Sequence, residues 1–170
     1  MKMMSRWLAC LCVIPLAGVG CSGNSNSSQT PAQVLQGLEA SGDLPTLDIT
    51  TSLTGTDADG NGVRDDLDKY VAGLADSSAE KKALIQEAQA IQASLVVDLT
   101  QQPQLLVVRT NMARAVNCVW TVYPKGEQHE KVALIQELSI NTLTRLKAYE
   151  AFNSSQNGIT QTLLDGSTCN

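Results

Sequence analysis

From Thr30 onward the apolar positions of the chain recur with helical rather than strand periodicity. Thr30-Pro31 pairs a capping side chain with a first-turn proline and opens a short helix through Val34, Leu35 and Leu38, which Ser41-Gly42 ends. Residues 43–56, with Pro45 and several threonines, read as irregular. Val63, Leu67, Tyr70, Val71 and Leu74 then share one face of a helix that begins around Asp65. Asp76-Ser77-Ser78 stops that helix and caps the next, whose stripe is Leu84, Ala88, Ile91, Leu95 and Leu99. Pro103 suits the first turn of another helix, with Leu105, Val108, Met112, Ala115, Val116, Val119 and Trp120 inward, ending before the turn Tyr123-Pro124-Lys125-Gly126. A last helix is expected to run unbroken from about Glu127 to Phe152. It turns Val132, Ile135, Leu138, Leu146 and Tyr149 inward, until Asn153 to Gly158 break it.

No segment alternates with the period of two that a half-buried strand requires. Short links between amphipathic helices favour antiparallel neighbours, so the expected fold is a small all-α bundle of about four to five helices. Its stripes are core first, and Trp120 is the one large aromatic anchor, whose indole N–H needs a partner where it is buried. "KKALIQE" at 81–87 and "KVALIQE" at 131–137 agree at six of seven positions, fifty residues apart. Reuse of common helix vocabulary explains the echo better than duplication of a helical hairpin, because the match fades beyond the heptapeptide.

The N-terminus changes the picture from a bundle to an exported bundle. Lys2 and Arg6 precede an apolar stretch from Trp7 to Val19, the length of a signal-peptide core and too short to span a bilayer. That stretch ends Ala17-Gly18-Val19-Gly20-Cys21, which resembles a bacterial lipobox, with Gly18 where leucine is usual. The resemblance implies cleavage after Gly20 and lipidation of Cys21, so that acyl chains hold the protein to the membrane. Ser22 rather than aspartate after the cysteine implies the outer membrane of a Gram-negative cell. An ordinary signal peptide cut at the same place would instead give a secreted protein. "SGNSNSSQ", 22–29, has no apolar side chain and reads as a flexible tether. The expected organisation is thus signal peptide 1–20, anchored linker 21–30 and helical domain 31–170.

Without residues 1–20 the chain carries ten basic and seventeen acidic side chains, a formal charge of −7. That balance gives no electrostatic reason to bind nucleic acid or an anionic bilayer surface. Beyond Cys21, only Cys118 and Cys169 remain, and in an exported protein such a pair reads first as a disulfide. The rival reading makes Cys118 a nucleophile served by His129, the single histidine, but Cys118 lies beside the apolar Val119-Trp120. His129, in "KGEQHEKV", reads as a solvated residue of a helix's first turn.

The stretch richest in chemistry is "DADGNGVRDDLD", 57–68. Counting Asp57 as position 1, oxygen-bearing side chains fall at 1, 3, 5, 9 and 12: Asp57, Asp59, Asn61, Asp65 and Asp68. Gly62 stands at position 6, where the chain must turn sharply, and Val63 at 7 offers a backbone carbonyl. This is the spacing by which a calcium loop wraps hard oxygens around one ion. Without a cation the clustered carboxylates repel one another, and a divalent ion reverses that sign. Asp66 and Arg64 are left over and are expected to point to solvent.

The pattern resembles the DxDxDGxxDxxD loop of thrombospondin type-3 repeats and overlaps the loops of EF-hands and dockerins. It departs from EF-hands in having Asp68 rather than glutamate at position 12 and Arg64 rather than an aliphatic residue at position 8. It also stands as a single copy with no clear entering helix, since Leu53-Thr54-Gly55-Thr56 makes a poor helix end. The whole chain, through "GNGVRDD", "DKYV" and "NTLTRLKAYEAFNSS" at 141–155, is similar to uncharacterised bacterial lipoproteins and secreted proteins. That resemblance implies localisation and fold and carries no established activity. The expected function is a membrane-anchored extracytoplasmic lipoprotein with structural calcium, serving as a non-catalytic module that contacts an envelope protein. The alternative is an envelope hydrolase built on Cys118 or on carboxylates, for which the chain offers no Ser/His/Asp set, zinc-type cluster or phosphate loop.

Overall fold

The computed structural model describes residues 45–160 and 164–170, together with Gln33, Gly37 and residues 39–41. The export signal, Cys21 and the tether lie outside the described residues, as does much of the helix expected from Thr30, of which Gln33, Gly37 and residues 39–41 are helical. Five further helices follow: α1 (Asp65–Gly73), α2 (Ser78–Val96), α3 (Gln102–Val122), α4 (Gln128–Ser139) and α5 (Leu143–Ser155). Among the described residues there is no strand, and the architecture is all-α.

Local chemistry sets most of the helix boundaries. Asp65, Asp66 and Asp68 occupy the first turn of α1, where negative charge suits the helix dipole. Ser77 and Glu80 form a reciprocal capping box at the start of α2: Glu80 N–H donates to Ser77 Oγ (3.3 Å) and Ser77 N–H to Glu80 Oε2 (2.7 Å). Pro103 falls in the first turn of α3, where its missing N–H costs nothing. The core is one cluster built from Val63, Leu67 and Val71, the α2 residues Leu84, Ala88 and Ile91, Val119 of α3, and Ile135 and Leu138 of α4. A smaller cluster joins Leu105, Val108 and Phe152. α2 is the central element, packed against each of the other four. None of the described helices is long and apolar enough to cross a membrane.

Four expectations about the core require correction. The helix expected over 127–152 is two, broken at Ile140-Asn141-Thr142. Thr142 adopts an extended backbone and its hydroxyl accepts from Arg145 N–H (3.3 Å), a cap that competes with helix continuation. The break re-aims α5, so Leu146, expected inward, is exposed and Arg145 is fully buried in its place. Trp120 is 53 % exposed: the pair Cys118-Val119 takes the buried face of α3 and leaves the indole on the other side. Leu99 lies beyond the end of α2 at Val96 and is also exposed.

Cys118 and Cys169 form the expected disulfide, with Cα atoms 4.8 Å apart. It closes a separation of 51 residues, worth about 4 kcal/mol on a chain-entropy account. Side chains of α2 and α3 hold the tail around it: Gln86 Nε2 donates to Thr168 O (3.1 Å) and Asn117 Nδ2 to Gly166 O (2.7 Å). A disulfide of this kind fits an oxidising, extracytoplasmic compartment.

Candidate metal centre

Gly60 and Gly62 take φ values of +70° and +84°, the left-handed region that a side chain disfavours. These two turns fold residues 57–65 back on themselves. Asp57, Asp59 and Asp65 thereby each present a carboxylate oxygen, the three within 4.8 Å of one another, a grouping able to hold a metal ion. Asp57 also orders the turn, accepting from Asn61 N–H (3.1 Å) and Gly62 N–H (2.9 Å). Asp65 accepts from Ala58 N–H (2.9 Å). Asn61 stands between the other acids, its Nδ2 donating to Asp59 Oδ2 (3.2 Å) and Asp68 Oδ2 (2.8 Å), while its Oδ1 accepts from Val63 N–H (2.7 Å). Of the residues read as ligands, three carboxylates are grouped directly, and Asp68 joins them through Asn61. Val63 sends its side chain into the core, fully buried at the start of the α1 stripe.

The electrostatics suit a cation. Burial, and then the charges of Asp59, Asp57 and Asp65, push the Asp68 carboxyl above its usual range, against the hydrogen bond from Asn61. A divalent ion among these oxygens would turn that repulsion into attraction.

The residues expected to point to solvent do the opposite. Arg64 is fully buried, and it grips Asp66 through Nε–Oδ1 (2.8 Å) and Nη2–Oδ2 (2.9 Å). It also donates to the carbonyls of Ser139 (Nη1, 3.1 Å) and Leu138 (Nη2, 3.1 Å), which the break after α4 leaves without helical partners. A guanidinium there complements the negative end of the α4 dipole. Burial alone would raise the Asp66 carboxyl, but Arg64 and the backbone N–H of Asp48 hold it below its usual value. A second buried arginine, Arg145, donates to Asp48 O (Nη1, 2.6 Å) and Leu53 O (Nε, 3.3 Å). The two guanidiniums share Asn141 Oδ1, at 3.2 Å from Arg64 and 2.9 Å from Arg145. Residues 48–66 are therefore fastened to the α4–α5 junction by a buried polar network.

α2 fastens the other side of the loop. Gln89 Nε2 donates to Asn61 O (2.8 Å) and Gln92 Nε2 to Thr54 O (3.0 Å). Gly55 is held by both its conformation and its surroundings, since φ is +64° and a Cβ there would lie 2.5 Å from Arg64 Cδ. Sequence reasoning found the acids and missed this scaffold. The one local signal was Arg64 itself, a charge where loops of this kind carry an aliphatic residue.

The cysteine alternative fares differently. The Cys118 sulfur is bonded to Cys169 and is no free nucleophile in this state, and His129 is exposed in the first turn of α4. Compared with models of known protein families, with curated proteins and with solved structures, the chain matches none.

Proposed function

We propose that this chain is a lipid-anchored extracytoplasmic protein whose helical domain holds one calcium ion in residues 57–68 as a structural clasp, and that it serves in the cell envelope as a non-catalytic interaction module. The observation that carries this reading is the grouping of Asp57, Asp59 and Asp65 within 4.8 Å on a glycine-turned loop. In the calcium-bound loop, Asp57, Asp59, Asn61, Asp65 and Asp68 supply side-chain oxygens and Val63 its carbonyl. A set of carboxylates, an amide and a carbonyl suits calcium, which takes six to eight oxygens, better than magnesium, which demands a strict octahedron. The anchor rests on Lys2, Arg6, the short apolar stretch and Cys21, and the disulfide is consistent with export.

Calorimetric titration of the chelator-treated full chain tests the ion. One calcium should bind with a Kd on the order of 10⁻⁴ to 10⁻³ M, and Asp59→Ala should weaken it about tenfold or more. Equal binding by the variant, or none by the wild type, refutes the site. Fractionation with crosslinking in intact cells tests the anchor and the partner together. The wild type should sediment with membranes and crosslink reproducibly to an envelope protein, whereas Cys21→Ser should leave the membrane fraction. Membrane retention of that variant contradicts lipidation, and the absence of any protein adduct contradicts the interaction role.

A further inference from the structure

Glu87 lies on the buried side of α2, the helix packed against α1, α3, α4 and α5. It is 3 % exposed, and its Oε2 has no hydrogen-bond partner. Its counterpart in the repeated heptapeptide, Glu137, is exposed, so nothing in the local sequence marks Glu87 as special. A neutral carboxyl tolerates such a position, whereas a carboxylate carries a large desolvation penalty. The group pays that penalty alone: burial by itself pushes the carboxyl up to about 7. Burial is the cause of the shift, and among the described residues neither Lys69 of α1, Arg114 of α3, Lys131 of α4 nor Arg145 of α5 enters to offset it. Tyr149 of α5 feels Glu87: burial first raises its phenol, a hydrogen bond with Asn153 opposes that, and the Glu87 charge raises it further. Tyr149 gives its O–H to Gln136 Oε1 (3.2 Å).

The consequence reaches the loop because Gln89 and Gln92, two and five residues along the same helix, hold the Asn61 and Thr54 carbonyls. We propose that Glu87 is a proton-sensitive latch: its neutral carboxyl lets α2 seat against α5, and its ionisation loosens that seam together with the hold of Gln89 and Gln92 on residues 54–61. The sign follows from a folded-state value raised above the ordinary 4.5. The stability that the neutral group permits is complete below about 4.5 and is lost as pH rises through about 7. The latch operates whether or not an ion occupies the loop.

The test uses the full chain in chelator, wild type and Glu87→Gln, between pH 5 and 8.5. The wild-type Tm should fall by roughly 5 to 10 °C over that interval, and the variant should lose most of the slope. Amide protection factors in α2, α5 and residues 54–61 should drop together, by about tenfold or more, in the wild type alone. The Glu87 side-chain carbon resonance, followed in the wild type, should titrate near pH 7 and reports on the latch even if the variant folds poorly. A titration midpoint near 4.5, or an unchanged Tm slope in the variant, overturns the proposal. Loss of protection in α2 and α5 with 54–61 unaffected overturns the link to the loop.

Discussion

Arg64 is the residue on which the loop and the bundle meet. Its guanidinium is fully buried, pairs both carboxylate oxygens of Asp66, and serves the Leu138 and Ser139 carbonyls at the end of α4. Removing Arg64 leaves the largely buried Asp66 carboxylate with the backbone N–H groups of Asp48 and Leu67 but without its counter-charge, and breaking such a pair typically costs about 3 to 5 kcal/mol. Arg64→Met should therefore lower stability to denaturant by about that amount, and Arg64→Met with Asp66→Leu should recover part of it, because the stranded charge is then gone. A loss below about 1 kcal/mol in the single variant, measured by urea unfolding, would show that the pair carries little. The grouping of Asp57, Asp59 and Asp65 was legible because its spacing is local: five oxygen donors and a glycine lie within twelve positions. Arg64 was misread as solvated because its partners Leu138 and Ser139 lie 74 and 75 residues away, and no local pattern encodes that contact.

At the scale of elements, caps and stripes were the readable part. The cap at Asp76-Ser77-Ser78, Pro103 in the first turn of α3, and the Leu67, Leu84, Ile91 and Ile135 core all follow from short-range rules. The break between α4 and α5 escaped because Ile140-Asn141-Thr142 disfavours a helix only mildly. Long-range bonds decide the matter: Arg64 takes the freed carbonyls, and Asn141 joins both buried arginines to Asp48 O. The two copies of the heptapeptide make the same point. In "KKALIQE" Leu84 is the fully buried residue, in "KVALIQE" it is Ile135, one position later. One residue is about 100° of helix rotation, so the identical letters present different faces to the core. Reuse of helix vocabulary accounts for that better than inherited hairpin geometry.

Across the whole molecule the 57–68 loop is a junction rather than an appendage. α1 continues directly from it, Gln89 of α2 holds its backbone at Asn61 while Gln92 holds the Thr54 carbonyl just before it, and the arginine network ties residues 48–66 to α4 and α5. An ion bound by Asp57, Asp59 and Asp65 would brace that junction from the solvent side, while the Cys118–Cys169 bond fastens the tail between α2 and α3. Stabilisation by a weakly held ion grows as RT ln(1 + [L]/Kd), which at millimolar calcium amounts to about 0.5 to 1.5 kcal/mol. The most direct test of a structural calcium clasp is therefore the melting temperature of the chelator-treated protein before and after several millimolar calcium, at pH 6. The wild-type Tm should rise by about 2 to 5 °C and that of Asp59→Ala by much less. No rise in the wild type, or an equal rise in both proteins, would contradict the clasp.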